Sequence, residues 1–215
     1  MSETPNLAHI VSFGSPLMDH ASNFHCVIQR LHECIMKYDS PVLEIGTRLG
    51  GSAIAFLKTM EMAEKKNWLY TVDPYAGLPY CVGEQVVIDK QMYPDEFYRR
   101  AMRSISDKAW EWGMNWHHFR MKSGDFMDYM YDNFTQYTDD KVSKFDKFCF
   151  VFCDGDHHID TMLQEVEFFM PRLEDEGMLI LDDTHFIKDE LVKALEPEYN
   201  LEFFPHRRCA VTNKP

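Results

Sequence analysis

Apolar positions along the chain fall into alternating long and short rhythms. Residues 16–37 place Phe24, Val27, Ile28, Leu31, Ile35 and Met36 at near-helical intervals, which predicts an amphipathic helix ahead of the first strand. PVLEIG (41–46) is a short β-rich run closed by glycine, SAIAFLKTMEMAEKK (52–66) has a helical period, and WLYTVD (68–73) reads as a second strand. A β–α–β unit of this kind implies a right-handed crossover and a parallel sheet.

Farther along, Phe97, Ala101, Ile105 and Ala109 mark one face of a helix near 94–110, HHFRM (117–121) fits a third strand, and GDFMDYMYDNF a short helix. FCFVFC (148–153) lacks alternation, the pattern of a strand buried on both faces. Ile159, Met162, Leu163, Val166, Phe169 and Met170 predict another helix ended by Pro171 and Gly177, with MLIL (178–181) as a fifth strand. LVKALEPEY is helical in pattern, and LEFF and CAVT flank PHRR as an antiparallel hairpin.

The expected fold is therefore α/β: a Rossmann-like, doubly wound, mostly parallel sheet with a C-terminal antiparallel hairpin. At 215 residues the chain suits a single domain, 1–215, with 1–40 as an N-terminal helical extension. Residues 74–112, which include PYAGLPYCVGEQ, form an expected insertion or lid with Gly77 and Gly83 as hinges.

Composition narrows the class. A formal charge of −13 and a pI near 5.1 disfavour nucleic acid as a partner, since that partner normally requires a basic face. Six cysteines without a CxxC pair fit free thiols in a reducing compartment. The first residues carry acid rather than a basic leader, and no apolar run approaches the roughly 18 residues of a membrane span. The expectation is a soluble, cytoplasmic protein without a membrane partner; a homo-oligomer is compatible with the sequence.

In an open parallel sheet, ligands bind beyond the carboxyl ends of the strands. Glu44-Ile-Gly46-Thr-Arg-Leu-Gly50-Gly51-Ser52, Asp73, Ser123-Gly124-Asp125, Asp154 and Asp182-Asp183 all stand there. The pattern E-x-G-x-x-x-G has Arg48 where a dinucleotide fingerprint would have its second close glycine, so pyrophosphate is disfavoured. Taken alone, this pattern could equally be an ordinary strand-turn-helix corner. Asp125 could meet a cofactor edge or cap the helix that follows.

FVFCDGDHHID (150–160) crowds Asp154, Asp156, His157, His158 and Asp160 after an apolar strand, and carboxylates this close repel unless a cation gathers them. Asp154 ends the fourth strand and Asp182 the fifth, neighbours in this topology, and Asp183 can join them only where the backbone turns. Three hard oxygen ligands suit Mg²⁺ better than Zn²⁺. The bland alternative is that these residues are caps and a turn. On the metal reading, Asp182→Asn weakens the ion more than the fold, since the position lies at a strand end.

E-x-G-x-x-x-G followed by Asp73 resembles motifs I and II of class I S-adenosylmethionine-dependent methyltransferases. The resemblance implies that cofactor, with Asp73 accepting hydrogen bonds from the ribose hydroxyls and Glu44, Gly46, Gly50, Ser52 and Asp125 as further cofactor-binding residues. FVFCDGDHHIDTMLQEVEFFMPRLEDEGMLILDDTH is similar to the D-G-D-H…GG…DD stretch of cation-dependent O-methyltransferases, especially the macrocin O-methyltransferase group, and VDPYAGLP to that group's D-x-x-x-G-L-P segment. The similarity spans about residues 41–185 and departs at Gly177, which stands alone where the family often has a glycine pair. It implies Mg²⁺ or another divalent cation on Asp154, Asp182 and Asp183, and His157 as the base where the catechol enzymes carry Lys. The implied acceptor is a small hydroxylated molecule, a sugar diol or a catechol. Two rival classes are a noncatalytic cofactor-binding module and a nucleotide-dependent sugar-modifying oxidoreductase.

Overall fold

The computed structural model of the chain describes residues 6–18, 24–75, 80–82, 85–88, 95–133, 135–138, 141–144, 147–205 and 207–214. Helices α1 (Leu7–Gly14) and α2 (His25–Lys37) precede β1 (Val42–Ile45), and α3 (Gly51–Met62) leads into β2 (Leu69–Val72). A small hairpin, β3 (Tyr80–Val82) and β4 (Gln85–Ile88), comes before α4 (Asp95–Glu111), β5 (Trp116–Phe119) and α5 (Ser123–Asn133). A second hairpin, β6 (Thr135–Thr138) and β7 (Lys141–Lys144), precedes β8 (Phe148–Cys153), α6 (Ile159–Phe169) and β9 (Leu173–Leu181). The chain closes with α7 (Lys188–Leu195), β10 (Tyr199–Phe203) and β11 (Cys209–Asn213).

Among the described residues, seven strands form the main sheet in the order β10-β11-β9-β8-β1-β2-β5. The five strands from β9 to β5 pair in parallel, while β11 pairs antiparallel with both β9 and β10. This is the doubly wound sheet with a terminal hairpin that the periodicities predict. Every residue of β8 is buried, because Phe150 and Phe152 pack on one face with α2 and α3 while Val151 and Cys153 pack on the other with α6. Helices on both faces explain the missing alternation.

Several boundaries differ from the sequence reading, three of them for a plain local reason, while β5 ends at Phe119 rather than Met121 and α7 runs earlier, Lys188–Leu195, than LVKALEPEY suggests. Helix α2 starts at His25 rather than near residue 16, because Pro16 lies in a 3₁₀ turn, Ser15–Leu17, that follows the separate helix α1. Pro fixes φ and lacks an N–H, so it suits a turn start. Helix α3 stops at Met62, just before Glu64 adopts a left-handed conformation at φ 55°. Strand β9 begins at Leu173, whose buried side chain opens a run that the acidic residues Glu174, Asp175 and Glu176 disguise.

The expected lid over 74–112 takes in residues 76–79, 83–84 and 89–94, so its hinge glycines Gly77 and Gly83 lie outside the described residues. Its helix α4 buries Ala101, Ile105 and Ala109, the face read from the sequence. Among the described residues, no helix is long and apolar enough to cross a membrane.

Candidate active site

The residue just past each of four central strands continues the ladder to its neighbour. Asp73 N–H donates to Phe119 O at 3.1 Å, Gly46 to Val72 O at 2.8 Å, Asp154 to Ile45 O at 2.8 Å and Asp182 to Cys153 O at 2.9 Å. Asp182, Asp154, Gly46 and Asp73 therefore stand in a row across the carboxyl edge, about 14 Å from end to end at the usual strand spacing. Backbone pairing, not side-chain attraction, sets this line.

At the β1–β2 end of the row, Asp73 is 7% exposed and its two oxygens accept from the Arg48 N–H (2.9 Å) and the Tyr75 N–H (2.8 Å). Burial raises its pKa while those backbone donors oppose the rise. The donors, with the Thr47 backbone as a third, hold the carboxylate still. Gly46 has φ +90°, and a Cβ there would fall 2.0 Å from the Asp154 carbonyl oxygen. The sharp exit from β1 thus depends on contact with the end of β8, which only glycine permits. Gly50, left-handed as well, precedes α3 under Ile105.

Glu44 is fully buried, and its Oε1 accepts from the Ser52 hydroxyl, tying β1 to the first turn of α3. Burial pushes its pKa up to about 8, so at neutral pH it carries a proton. Glu44 and Ser52 brace the corner from beneath. Asp125 is exposed in the first turn of α5, one of the positions where the helix dipole favours an acid. It lies inside the helix rather than at the N-cap.

At the β8–β9 end, Asp154, Asp182 and Asp183 converge as expected, with Asp183 turned by a left-handed backbone at φ 53°. The cations beside Asp182 and Asp183 are arginines of the β10–β11 turn. Arg207 Nε lies 2.9 Å from Asp182 Oδ1 and 2.8 Å from Asp183 Oδ1, and Arg208 Nη2 lies 3.2 Å from Asp182 Oδ2. Burial alone would raise Asp182, but Arg208 and Arg207 outweigh it and hold its pKa below the usual carboxylate value. Asp154, by contrast, is pushed well up by burial and by the Asp182 charge.

His157, 3% exposed, directs Nε2 toward Asp183 Oδ2 at 3.4 Å and Asp154 Oδ1 at 3.8 Å. Burial lowers its pKa despite those acids, which favours neutral imidazole. The rest of the acidic loop builds the start of α6. Asp156 accepts from the His158 N–H (3.2 Å) and the Thr161 hydroxyl (3.0 Å), and His158 Nδ1 accepts from the Asp160 N–H (3.3 Å). Crowding after β8 thus has two causes, a site and a helix cap.

The residues at this end do not fit a divalent ion as arranged. Both oxygens of Asp182 accept from guanidinium groups, and Oδ1 also accepts the Asp183 N–H at 2.8 Å. Asp182 is moreover 2% exposed, so its place in the fold is deeper than a strand-end position suggests. The sequence places Arg207 and Arg208 in the PHRR turn and marks them as a local basic exception in an acidic chain, with no role at the site. The adjacent basic pair in an acidic chain was the one signal available.

A model of a methyltransferase domain matches residues 43–184, the stretch that holds the whole row. The chain belongs to the methyltransferase domain family. The resemblance to class I methyltransferases is thereby borne out, and the oxidoreductase alternative is set aside. Solved structures share the fold of this methyltransferase. One of CalS11, a calicheamicin methyltransferase, superposes with a TM-score of 0.64 at 12% identity, over 98% of this chain and 86% of that one. The apo structure of CalS11, described as a TDP-rhamnose 3′-O-methyltransferase, gives 0.55 at 13% identity over 98% and 88%. MycE from the mycinamycin biosynthetic pathway, in complex with Mg, SAH and mycinamycin VI, gives 0.58 at 14% identity, over 99% of this chain but 55% of MycE. No curated protein sequence matches the chain.

Proposed function

We propose that this methyltransferase transfers the methyl group of S-adenosylmethionine to a hydroxyl oxygen of a small molecule, with His157 as the base. The observation that carries the reading is the row itself: an anchored carboxylate at Asp73, a side-chain-free corner at Gly46 packed against the end of β8, and a buried imidazole beside the next strand end. Bound at the β1–β2 end, the cofactor supplies an electrophilic methyl group. Asp73, held by backbone donors that include the Arg48 and Tyr75 N–H groups, presents a fixed carboxylate that can accept from the ribose of the cofactor.

An alcohol is a poor nucleophile until its proton is removed. His157 Nε2 accepts that proton, and Asp183, with Oδ2 at 3.4 Å, lies near enough to stabilise the imidazolium that forms. A sugar hydroxyl is preferred to a catechol. CalS11, which shares the fold, is described as a TDP-rhamnose 3′-O-methyltransferase, and among the described residues His157 Nε2 faces the side chains of Asp183 and Asp154.

The test is S-adenosylhomocysteine release with TDP-rhamnose, other nucleotide sugars and catechol as acceptors. Turnover with a sugar that falls ~10²–10⁴-fold in His157→Ala, while the cofactor still binds, is the expected result. Cofactor binding with no turnover on any acceptor would favour a noncatalytic cofactor-binding module instead.

A further inference from the structure

The acidic cluster and the C-terminal hairpin are fastened to one another at more than one level. The Arg207 carbonyl accepts from the Thr184 N–H at 2.8 Å and the Thr184 hydroxyl at 3.0 Å, so the main chain of the hairpin turn is bound to the loop that carries Asp182 and Asp183. The Arg207 Nε then bridges one oxygen of each acid at 2.9 and 2.8 Å. Arg208, 3% exposed, closes the other side of Asp182, its guanidinium 5.1 Å from the centre of the Phe24 ring on the neighbouring helix layer. Phe204 N–H to Arg208 O at 2.9 Å completes the turn.

This arrangement conflicts with an ion. Mg²⁺ takes an octahedron of oxygens at about 2.0–2.1 Å, so an ion on these carboxylates would stand within a few ångströms of a fixed guanidinium. Three acids already face two permanent cations, which leaves little surplus negative charge for a divalent ion to neutralise. We propose that the Arg207 guanidinium, and not a divalent cation, is the counter-charge of the Asp154–Asp182–Asp183 cluster, and that this site operates without a bound metal ion. The proposal rests on the reading of the cluster as part of the methyl-transfer site for its catalytic consequence. Its test does not.

Mn²⁺ is the probe, titrated into the full chain and followed by its spin resonance, with S-adenosylhomocysteine binding measured on the same samples. Wild-type protein should hold Mn²⁺ no more tightly than about 1 mM, Arg207→Met should gain roughly 30-fold or more, and Arg207→Lys should stay with wild type. Micromolar binding to wild type that Asp154→Asn removes would overturn the proposal. If Arg207→Met does not fold, wild-type melting in excess Mg²⁺ and in chelator decides. Equal midpoints uphold the arginine, and a Mg²⁺-dependent rise that Asp154→Asn abolishes overturns it. Loss of S-adenosylhomocysteine binding alone would strike at the methyl-transfer reading and leave the counter-charge intact.

Discussion

The two ends of the strand-end row solve one problem, a buried carboxylate, in different ways. At the β1–β2 end, Asp73 takes its hydrogen bonds from backbone N–H groups of two nearby turns, which carry no net charge. At the β8–β9 end, Asp182 adds to one backbone donor, the Asp183 N–H, two guanidinium groups delivered by a distant hairpin. Backbone donors hold a carboxylate without neutralising it, so the β1–β2 end remains suited to a ligand's hydroxyls. Paired arginines neutralise the acid and fasten the fold, so the β8–β9 end doubles as a structural joint.

That contrast is broken most sharply at Asp182. Asp182→Asn should cost ~3–5 kcal/mol of stability, since it removes the carboxylate charge that pairs with the buried Arg208 and one of the two that Arg207 bridges. Urea unfolding would measure this, with S-adenosylhomocysteine affinity per folded molecule unchanged. Stability equal to wild type would return Asp182 to the role of a simple strand-end ligand.

A second test uses buried acids that no arginine serves. Glu165 on α6, 1% exposed beside Ser123 and Cys153, has its pKa pushed up to about 7 by burial. Because the folded value exceeds the ordinary 4.5, its share of stability is intact below pH 4.5 and is lost as pH rises through 7. Glu165→Gln should therefore be ~3 kcal/mol more favourable relative to wild type at pH 8 than at pH 4. A difference between the two proteins that does not change with pH would mean that Glu165 ionises as easily folded as unfolded.

The same contrast explains what was legible in the sequence. Strands β1, β2 and β8 and helices α4 and α6 follow from periods of apolar residues, and the turn at Gly46 and the acid at Asp73 follow from their strands. Each of these is decided within a few residues or by one βαβ unit. The convergence of Asp154 with Asp182 was also readable, because neighbouring parallel strands bring their ends together. Arg207 and Arg208 reach the site only through the antiparallel register of β9, β11 and β10, and no local pattern encodes that distance. Helix α1 was hidden for a different reason: it is eight residues long, and much of its burial comes from packing against α3 rather than from a strong stripe of its own.

The most direct test of the cofactor end is a calorimetric titration of S-adenosylhomocysteine into wild type and Asp73→Ala. Wild type should bind in the micromolar range, and the variant should bind about 1.5–3 kcal/mol more weakly, roughly 10- to 150-fold, with its fold retained. Equal affinity for the two proteins, or no binding to wild type, would contradict the assignment of the β1–β2 end as the cofactor site.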